Sequence, residues 1–237
     1  MKQTILITGG TAGIGLALAE AFLSRGDDVC GRSPEALARF SAAHPEALAL
    51  PADVTDAKAR TAMLDTIASR FGKLDVFISN AGTFVERDFT GAAEAAENLE
   101  QEVALNLTAP IQLTSEVLKR WPDIGAIVFV SSGFALVSPA RAPTYGAVKA
   151  SLHGFAEGLR RQLLAKGTHV LEVLPPATDT RMNAGHEGKK MAPAEVAAVT
   201  LEALARRRPM ALPGVIRMLP TLLRIAPKSI NRMVGAM

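Results

Sequence analysis

The sequence predicts an α/β fold, a doubly wound parallel sheet with helices on both faces, formed by residues 1–237 as a single domain. Short apolar runs rich in β-branched residues alternate along the chain with longer Ala-, Leu- and Glu-rich segments of helical spacing. The apolar runs are continuous, which indicates strands buried on both faces and therefore parallel strands between two helical layers. No internal repeat or low-complexity linker divides the 237 residues, and 49% of them are hydrophobic, enough for one large core.

The predicted elements are bounded by local signals. The first helix is expected to end at Gly26, and the second to begin with Ser33 as its N-cap and Pro34 in its first turn. The predicted strands occupy residues 4–8, 28–31, 47–53, 74–80, 126–132 and 168–176, and the predicted helices occupy residues 14–26, 33–44, 56–72, about 95–121 and about 144–166.

Charge is distributed unevenly along the chain, whose formal net charge is +3. The segment from Ala203 to the last residue contains seven Lys or Arg and no Asp or Glu, which leaves 19 basic and 23 acidic residues, a net −4, before it. Three consecutive arginines, Arg206–Arg208, follow a helical segment and are expected to complement its dipole in solvent. No nucleic-acid partner is predicted.

The cysteine count and the first residues indicate a compartment. The single cysteine, Cys30, excludes an internal disulfide and suits a reducing environment. The apolar patch in MKQTILITGG is too short for a signal peptide, and no run approaches the roughly 18–20 apolar residues of a membrane span. A soluble cytoplasmic protein is therefore expected. The four histidines show no metal-ligand spacing, so no metal site is predicted.

A glycine-rich turn, TGGTAGIG (residues 8–15), follows the first strand. Glycines at positions 9, 13 and 15 permit a tight turn, close approach of a diphosphate and close packing of helix against strand. The N-terminus of the next helix then faces the anion. The spacing differs from GxGxxG, and for this segment alone a plain strand–helix turn remains an alternative.

The turn resembles the TGxxxGIG cofactor turn of the classical short-chain dehydrogenase/reductase family, and the resemblance extends over about residues 3–182. Members of that family also have an acidic residue after the third strand, NNAG after the fourth, an Asn in the long fourth helix, and a Ser thirteen residues before the Tyr of YxxxK. The matching residues here are Asp53, Asn80, Ala81, Gly82, Asn106, Ser132, Tyr145 and Lys149, while Ser79 departs from the NNAG pattern. The resemblance implies a Rossmann-type fold.

The resemblance also implies residues that bind a nicotinamide dinucleotide. Pro175-Pro176 stands where the family usually has Pro-Gly, and the second proline removes a backbone donor and fixes φ, so a stiffer pocket entry is expected. The implied cofactor-binding residues are Gly9, Thr11, Ala12, Gly13, Ile14, Gly15, Arg32, Asp53, Val54, Asn80, Ala81, Gly82, Tyr145, Lys149, Pro175, Thr178 and Thr180.

Tyr145, the only tyrosine, and Lys149 stand one turn apart on a predicted helix and therefore address the same small volume. A free phenol has a pKa of about 10, and lowering that pKa to near 7 takes about 4 kcal/mol. A unit positive charge about 4 Å away, at an effective dielectric constant near 20, supplies an energy of that order. We therefore expect Lys149 to lower the pKa of Tyr145 toward neutrality.

The implied catalytic roles fall to four residues. The family resemblance makes Tyr145 the proton donor in carbonyl reduction or the acceptor in alcohol oxidation. It makes Ser132 a hydrogen-bond partner of the substrate oxygen, and Asn106 the holder of a water behind Lys149. Lys149 would also bond the nicotinamide ribose, and the charge of the oxidised nicotinamide would help to acidify the phenol.

The choice of cofactor turns on the end of the second strand. NAD users of the family generally place an Asp there, whereas this chain has Arg32 in the sequence DDVCGRS. A guanidinium is suited to a 2′-phosphate, which favours NADPH over NAD. The alternative is an arginine merely solvated at a strand end. The sequence predicts an NADPH-dependent reductase of a ketone or aldehyde, with an NAD-linked alcohol dehydrogenase or a non-catalytic nucleotide-sensing protein of the same fold as alternatives.

Two C-terminal segments are expected to shape the substrate site. Residues 182–193 have the composition of a mobile loop at the position of the family's substrate lid. Residues 206–237 form a basic, apolar flap, which would pack on the substrate cleft or on a neighbouring subunit, or lie on a membrane surface as an amphipathic segment. A lipophilic small-molecule substrate would suit the last arrangement. The resemblance implies a homodimer or homotetramer formed through the two long helices.

Overall fold

The computed structural model describes residues 2–31, 40–91, 94–185 and 187–235. Its strands are β1 (Thr4–Ile7), β2 (Asp28–Gly31), β3 (Leu48–Ala49), β4 (Val76–Ser79), β5 (Ala126–Val130), β6 (His169–Val173) and β7 (Met210–Ala211). Its α-helices are α1 (Gly13–Leu23), α2 (Ala57–Phe71), α3 (Leu99–Val103), α4 (Ala109–Arg120), α5 (Pro143–Leu163), α6 (Pro193–Ala205), α7 (Leu219–Ile225) and α8 (Pro227–Gly235).

The seven strands form one parallel sheet in the order β3-β2-β1-β4-β5-β6-β7. The chain runs from β1 outward to β2 and β3 and then crosses to β4 on the other side of β1. At such a reversal the carboxyl ends of the two central strands flank a crevice, which is where open α/β sheets bind ligands. The predicted doubly wound parallel sheet is confirmed.

Both faces of the sheet are covered by helices. On β4, Phe77 belongs to the core that is shared with α2, α4 and α5, whereas Ile78 belongs to the core that is shared with α1 and α6. Both side chains are fully buried. The continuous apolar runs of the sequence therefore do reflect burial on two faces.

The long helix predicted at about 95–121 begins at Leu99 and contains an irregular turn. Residues Ala104–Thr108 form a π-helical segment between α3 and α4. Segments of this kind widen a helix locally and are common at functional sites. The turn contains Asn106, one of the predicted site residues.

Other boundaries also differ from the prediction. The strand predicted at 47–53 is only the two-residue β3, and the equally short β7 was not predicted because it lies in the short run RPMALP between two prolines. The first helix ends at Leu23, and Gly26 lies in the following turn with φ 81°. Most of the helix predicted at 33–44 falls on residues 32–39, outside the described residues.

The C-terminal flap packs against its own chain, on the segment that follows β5. Leu219, Ile230 and Val234 form a buried cluster with Val137. The partly buried side chains around this cluster are Phe134, Leu136, Ile216, Leu222 and Leu223. The flap therefore covers the residues immediately after Ser132.

The segment predicted as a lid, residues 182–193, is anchored near its end. Met191 donates a backbone hydrogen bond to Ala177 (2.9 Å) and accepts one from Asp179 (2.8 Å). These bonds tie the segment to the chain just after β6. None of the helices in the described part of the chain is long and apolar enough to cross a bilayer.

Candidate active site

The glycine turn joins the carboxyl end of β1 to α1. Gly9 and Gly13 have φ values of +67° and +54°, a region that residues with side chains rarely adopt. A Cβ at Gly15 would overlap the carbonyl oxygen of Gly9 and lie 2.5 Å from Nδ2 of Asn80. The backbone is therefore exposed to close approach at the N-terminus of α1, as a bound diphosphate requires.

The SNAG segment holds this turn from the neighbouring strand. The side-chain amide of Asn80 donates to the carbonyl oxygens of Thr8 (3.0 Å) and Gly9 (3.2 Å). The backbone amides of Asn80 and Ala81 donate to Oγ1 of Thr8 at 2.9 and 3.0 Å. The structure thus brings together the two motifs that were predicted to bind the cofactor.

Asn106 is buried in the π-helical turn and is bonded to the segment after SNAG. Its Oδ1 accepts from the backbone amide of Thr83 (3.0 Å), and its Nδ2 donates to the carbonyl oxygen of Thr83 (2.9 Å). A Cβ built on Gly82 would lie 2.7 Å from Oδ1 of Asn106 and 3.8 Å from Nζ of Lys149. Asn106 and Lys149 therefore converge on Gly82.

Ser132, Tyr145 and Lys149 meet at the carboxyl end of β5. Ser132 follows the strand by two residues and is hydrogen-bonded to the side chain of Tyr145, and its Oγ accepts from the backbone amide of Phe134 (3.1 Å). Lys149 lies one turn after Tyr145 on α5, with Nζ 5.6 Å from the centre of the Tyr145 ring. Its ammonium donates to the carbonyl oxygen of Val130 at 3.2 Å. Three of the four predicted catalytic residues thus form one buried cluster.

Comparison with known proteins identifies this arrangement. A family model described as short chain dehydrogenase matches residues 3–190. The chain belongs to the short-chain dehydrogenase family. It is therefore an oxidoreductase.

Relatives and solved structures agree with this assignment. The Bacillus subtilis (strain 168) protein named uncharacterized oxidoreductase DltE is 38% identical over 187 residues, 77% of this chain and 74% of that protein. A short-chain dehydrogenase from Sphingobium yanoikuyae, in complex with NADPH, is 28% identical with a TM-score of 0.81 and covers 96% of this chain and 94% of its own. A short chain dehydrogenase from Burkholderia cenocepacia J2315, in complex with NADP, shares the fold at 23% identity, with a TM-score of 0.87 over 98% and 97% of the two chains.

Burial controls the acid–base properties of this short-chain dehydrogenase. Desolvation raises the pKa of Tyr145 to about 12, although the hydrogen bond with Ser132 lowers it, and the charge of Glu102 raises it further. The expectation that Lys149 brings the pKa of Tyr145 toward neutrality is wrong for the chain's own residues, because the loss of solvent outweighs the other effects. The phenol is therefore protonated at neutral pH, the state in which it can donate a proton.

Burial acts on Lys149 in the same way, since it disfavours the charged form of any group. Desolvation lowers the pKa of Lys149 to about 8, while the negative charge of Glu172 raises it. An ammonium with this pKa exchanges protons readily near neutral pH, which a free lysine does not do.

Two phenylalanines that the sequence analysis did not identify flank the phenol in this member of the family. The ring of Phe84 lies edge-on to Tyr145 with centroids 4.9 Å apart, and the ring of Phe134 does the same at 6.5 Å. Each follows a motif residue by two positions, Gly82 and Ser132 respectively. That shared offset is the signal by which they could have been found.

A buried ion pair also escaped the sequence analysis. Arg87 bonds Glu102 at 3.2 Å, and both side chains are almost fully buried. Nε of Arg87 and the carboxylate of Glu102 both bond Oγ1 of Thr144, which precedes Tyr145. The pair connects the segment after β4 to the start of α5 and so fixes the position from which Tyr145 projects.

Two further predicted cofactor residues, Thr180 and Pro175, lie next to residues of the site. The methyl group of Thr180 would lie 2.8 Å from a Cβ on Gly13, so Thr180 stands beside the glycine turn. Pro175 accepts a backbone hydrogen bond from Gly133 (3.2 Å), next to Ser132.

The other predicted cofactor residues either make local contacts or lie outside the described residues. Thr178 is buried, and its hydroxyl donates to the carbonyl oxygen of Pro176 (2.9 Å). Asp53, four residues after β3, accepts from the amide and hydroxyl of Thr55, and Val54 beside it is buried. Arg32 lies outside the described residues.

Proposed function

We propose that the protein is an NADPH-dependent reductase that transfers hydride to a ketone or aldehyde, with Tyr145 as the proton donor. The observation that carries the proposal is the protonated, buried phenol of Tyr145, bonded to Ser132 and one helical turn from the buried ammonium of Lys149. The cluster lies at the carboxyl edge of the sheet, the same edge as the glycine turn. The shared edge supports a site in which a cofactor bound at the glycine turn lies beside the proposed proton donor.

The residues present fit a nicotinamide dinucleotide. The backbone of the glycine turn has no side chains at Gly9, Gly13 and Gly15, so a diphosphate can approach the N-terminus of α1. Thr180 lines the same turn. When bound, the cofactor supplies the hydride and, in its oxidised form, a positive charge.

The chain's own residues would then orient the substrate oxygen and supply its proton. The hydroxyls of Ser132 and Tyr145 would both donate to the carbonyl oxygen and orient it. As that oxygen gains negative charge, the phenolic proton of Tyr145 moves to it and gives the alcohol. The ammonium of Lys149 stabilises the phenolate that is left and returns a proton to it, since its own pKa is close to neutral.

The walls of the site support an apolar substrate. Phe84 and Phe134 flank Tyr145, and the flap places Ile216 and Leu219 over the segment after Ser132. Apolar side chains of this kind favour a lipophilic carbonyl compound over a charged one.

A screen of ketones and aldehydes for consumption of reduced nicotinamide tests the function and the cofactor together. We expect turnover with apolar ketones and NADPH, and we expect Arg32→Ala to raise the Michaelis constant for NADPH about tenfold or more while leaving that for NADH nearly unchanged, because a charged hydrogen bond is lost. Arg161→Ala, an exposed arginine on α5, is the control. A wild-type preference for NADH, or turnover only from alcohols to carbonyls, would instead establish the NAD-linked alcohol dehydrogenase.

We also propose that the protein assembles as a homodimer or homotetramer through α4 and α5. What supports this is the exposed face of α5, where Ala147, Ala150 and Gly154 carry small or no side chains. Small residues allow the backbones of two helices to approach closely.

The outer face of the flap supports a further partner, an anionic membrane surface. Its exposed apolar side chains are Val215, Met218, Ile225 and Met233. Its exposed cations are Arg217, Arg224, Lys228 and Arg232, and none of them forms an ion pair with a described residue. Interleaved cations and apolar side chains without acidic residues match the charge and chemistry of anionic lipid. We propose weak contact of this face with such a surface.

Co-sedimentation with vesicles tests this contact. We expect the protein to bind phosphatidylserine-containing vesicles but not pure phosphatidylcholine, and Arg224→Glu/Ile225→Ser to weaken binding about tenfold, since each juxtamembrane cation contributes about 1 kcal/mol. The matched control is Arg161→Glu/Leu164→Ser, an exposed basic and apolar pair on another surface. Equal binding by both variants would refute the proposal. So would a change of oligomeric state caused by the flap variant alone, which would make the face an interface between copies.

A further inference from the structure

A carboxylate is buried in the sheet behind the candidate active site. The side chain of Glu172 on β6 is 1% exposed. It points to the same side of the sheet as Val170 of its own strand and Phe129, its partner on β5, and that side is covered by α5. A charged group is rarely left in such surroundings without compensation, because burial disfavours the ionised form by several kcal/mol.

Only one of the two carboxylate oxygens of Glu172 is hydrogen-bonded within the described part of the chain. Oε2 lies 2.6 Å from Nδ1 of His153, which is 31% exposed at its side chain. Oε1 is buried and has no hydrogen-bond partner among the residues that the structure describes. One oxygen is therefore held in place by the imidazole, and the other is left to interact with its surroundings through its charge.

Lys149 is the cation that faces this charge. Lys149 and His153 are separated by four residues on α5, so they lie on the same face of that helix, one turn apart. Within the described part of the chain, the ammonium of Lys149 donates one hydrogen bond, to the carbonyl oxygen of Val130. The negative charge of Glu172 raises the pKa of Lys149 against the opposing effect of burial.

Few other charged groups face this pair from the surrounding elements. On α5 they are Tyr145, His153 and Arg160, whose guanidinium donates to the carbonyl oxygens of Val170 and Pro209 beside Glu172. From α3, Glu102 acts on Tyr145. The described part of β5 contributes only uncharged side chains, from Ala126 to Val130. Glu172 is thus the anion that acts on Lys149 among the residues the structure describes.

We propose that Glu172, held by His153, is a positioning residue that keeps the ammonium of Lys149 charged and so sets the upper pH limit of catalysis. The proposal rests on the proposed reductase function, in which Lys149 must be an ammonium to stabilise the phenolate of Tyr145. Without Glu172, the ammonium would be buried with a single neutral partner, and it would lose its proton at a lower pH.

The pH dependence of turnover tests this role. In Glu172→Gln, which keeps the shape and the bond to His153, the alkaline limb of the rate profile should move down by about one pH unit or more, the usual effect of a nearby charge. The rate should fall about fivefold or more at pH 8 and change little at pH 6. Glu157→Gln, an exposed glutamate on the same helix, is the matched control and should leave the profile in place. A merely structural role for Glu172 would lower the rate equally at every pH.

A thermal double-mutant cycle tests the coupling without any measurement of activity. At pH 7, Glu172→Gln should lower the Tm more, by at least about 3 °C, in the wild-type chain than in the Lys149→Met background, because only the former has an ammonium to compensate. Overlapping rate profiles of an active wild type and Glu172→Gln would overturn the inference, as would equal Tm changes in the two backgrounds. If the wild type reduces no carbonyl compound, the proposed function fails, and the cycle still decides whether Glu172 supports Lys149.

Discussion

Tyr145→Phe is expected to abolish turnover while leaving the fold and the binding of NADPH nearly intact. The substitution removes only the phenolic hydroxyl, and the ring keeps its edge contacts with Phe84 and Phe134. General acid catalysis contributes about 10²- to 10⁴-fold, so kcat should fall by at least that factor. The measurement is kcat from NADPH consumption, together with the NADPH dissociation constant from fluorescence titration.

Ser132→Ala is the comparison variant for Tyr145→Phe. Ser132→Ala removes the partner of the hydroxyl but leaves the proton donor, so it should reduce kcat less than Tyr145→Phe does. Turnover by Tyr145→Phe at a rate near that of the wild type would refute the role of Tyr145. A large loss of NADPH affinity would show instead that the phenol acts in cofactor binding.

Gly146→Ala is expected to lower both stability and turnover, although it adds a single methyl group in a helix. A Cβ at this position would overlap the side chain of Ser138, lying 2.7 Å from its Cβ and 3.0 Å from its Cα. Overpacking of this kind costs about 1–3 kcal/mol, and about 2–4 °C of Tm is lost per kcal/mol in a chain of this size. The Tm should therefore fall by several degrees.

Turnover should fall because the two clashing residues belong to the segments that position the hydroxyls of Tyr145 and Ser132. Gly146 follows Tyr145 on α5, whereas Ser138 belongs to the segment that begins at Ser132. Pushing them apart by a fraction of an ångström lengthens the bond between Tyr145 and Ser132, and displacements of about 1 Å can cost about 100-fold in rate.

A matched variant separates this effect from helix propensity. A Cβ at Gly154, two turns further along α5, would meet nothing within 4 Å in its own chain, so Gly154→Ala adds helix propensity without this clash and should keep the kcat of the wild type. Adding Ser138→Gly to Gly146→Ala should recover part of the loss. Full stability and activity of Gly146→Ala would show that α5 and the segment after Ser132 are less closely packed than the structure indicates.

Local patterns explain which parts of the fold and site were predictable. The glycine turn and the Tyr145–Lys149 pair depend on residues close together in sequence, so their spacing predicts a strand end and one helical face. SNAG was identified by its resemblance to the family motif that follows the fourth strand. The doubly wound sheet follows from continuous apolar runs for the same reason. These predictions agree with the structure.

Tertiary contacts explain what was missed. Glu172 and His153 are nineteen residues apart in sequence, and Arg87 and Glu102 are fifteen apart, so no local pattern marks either pair. The π-helical turn at Asn106 is likewise not encoded by a recognisable signal. The pKa of Tyr145 is raised, not lowered as the sequence predicted, because the phenol loses solvent on burial, an effect of tertiary packing that the Tyr145–Lys149 spacing does not reveal.

The proposed catalytic residues and the flap occupy separate parts of the chain. The family match ends at residue 190, and every residue assigned here to hydride or proton transfer precedes that point. The flap that covers the segment after Ser132 follows it. Substitutions in the flap, residues 206–237, would therefore change what covers the segment after Ser132 without altering the residues proposed to act in hydride or proton transfer.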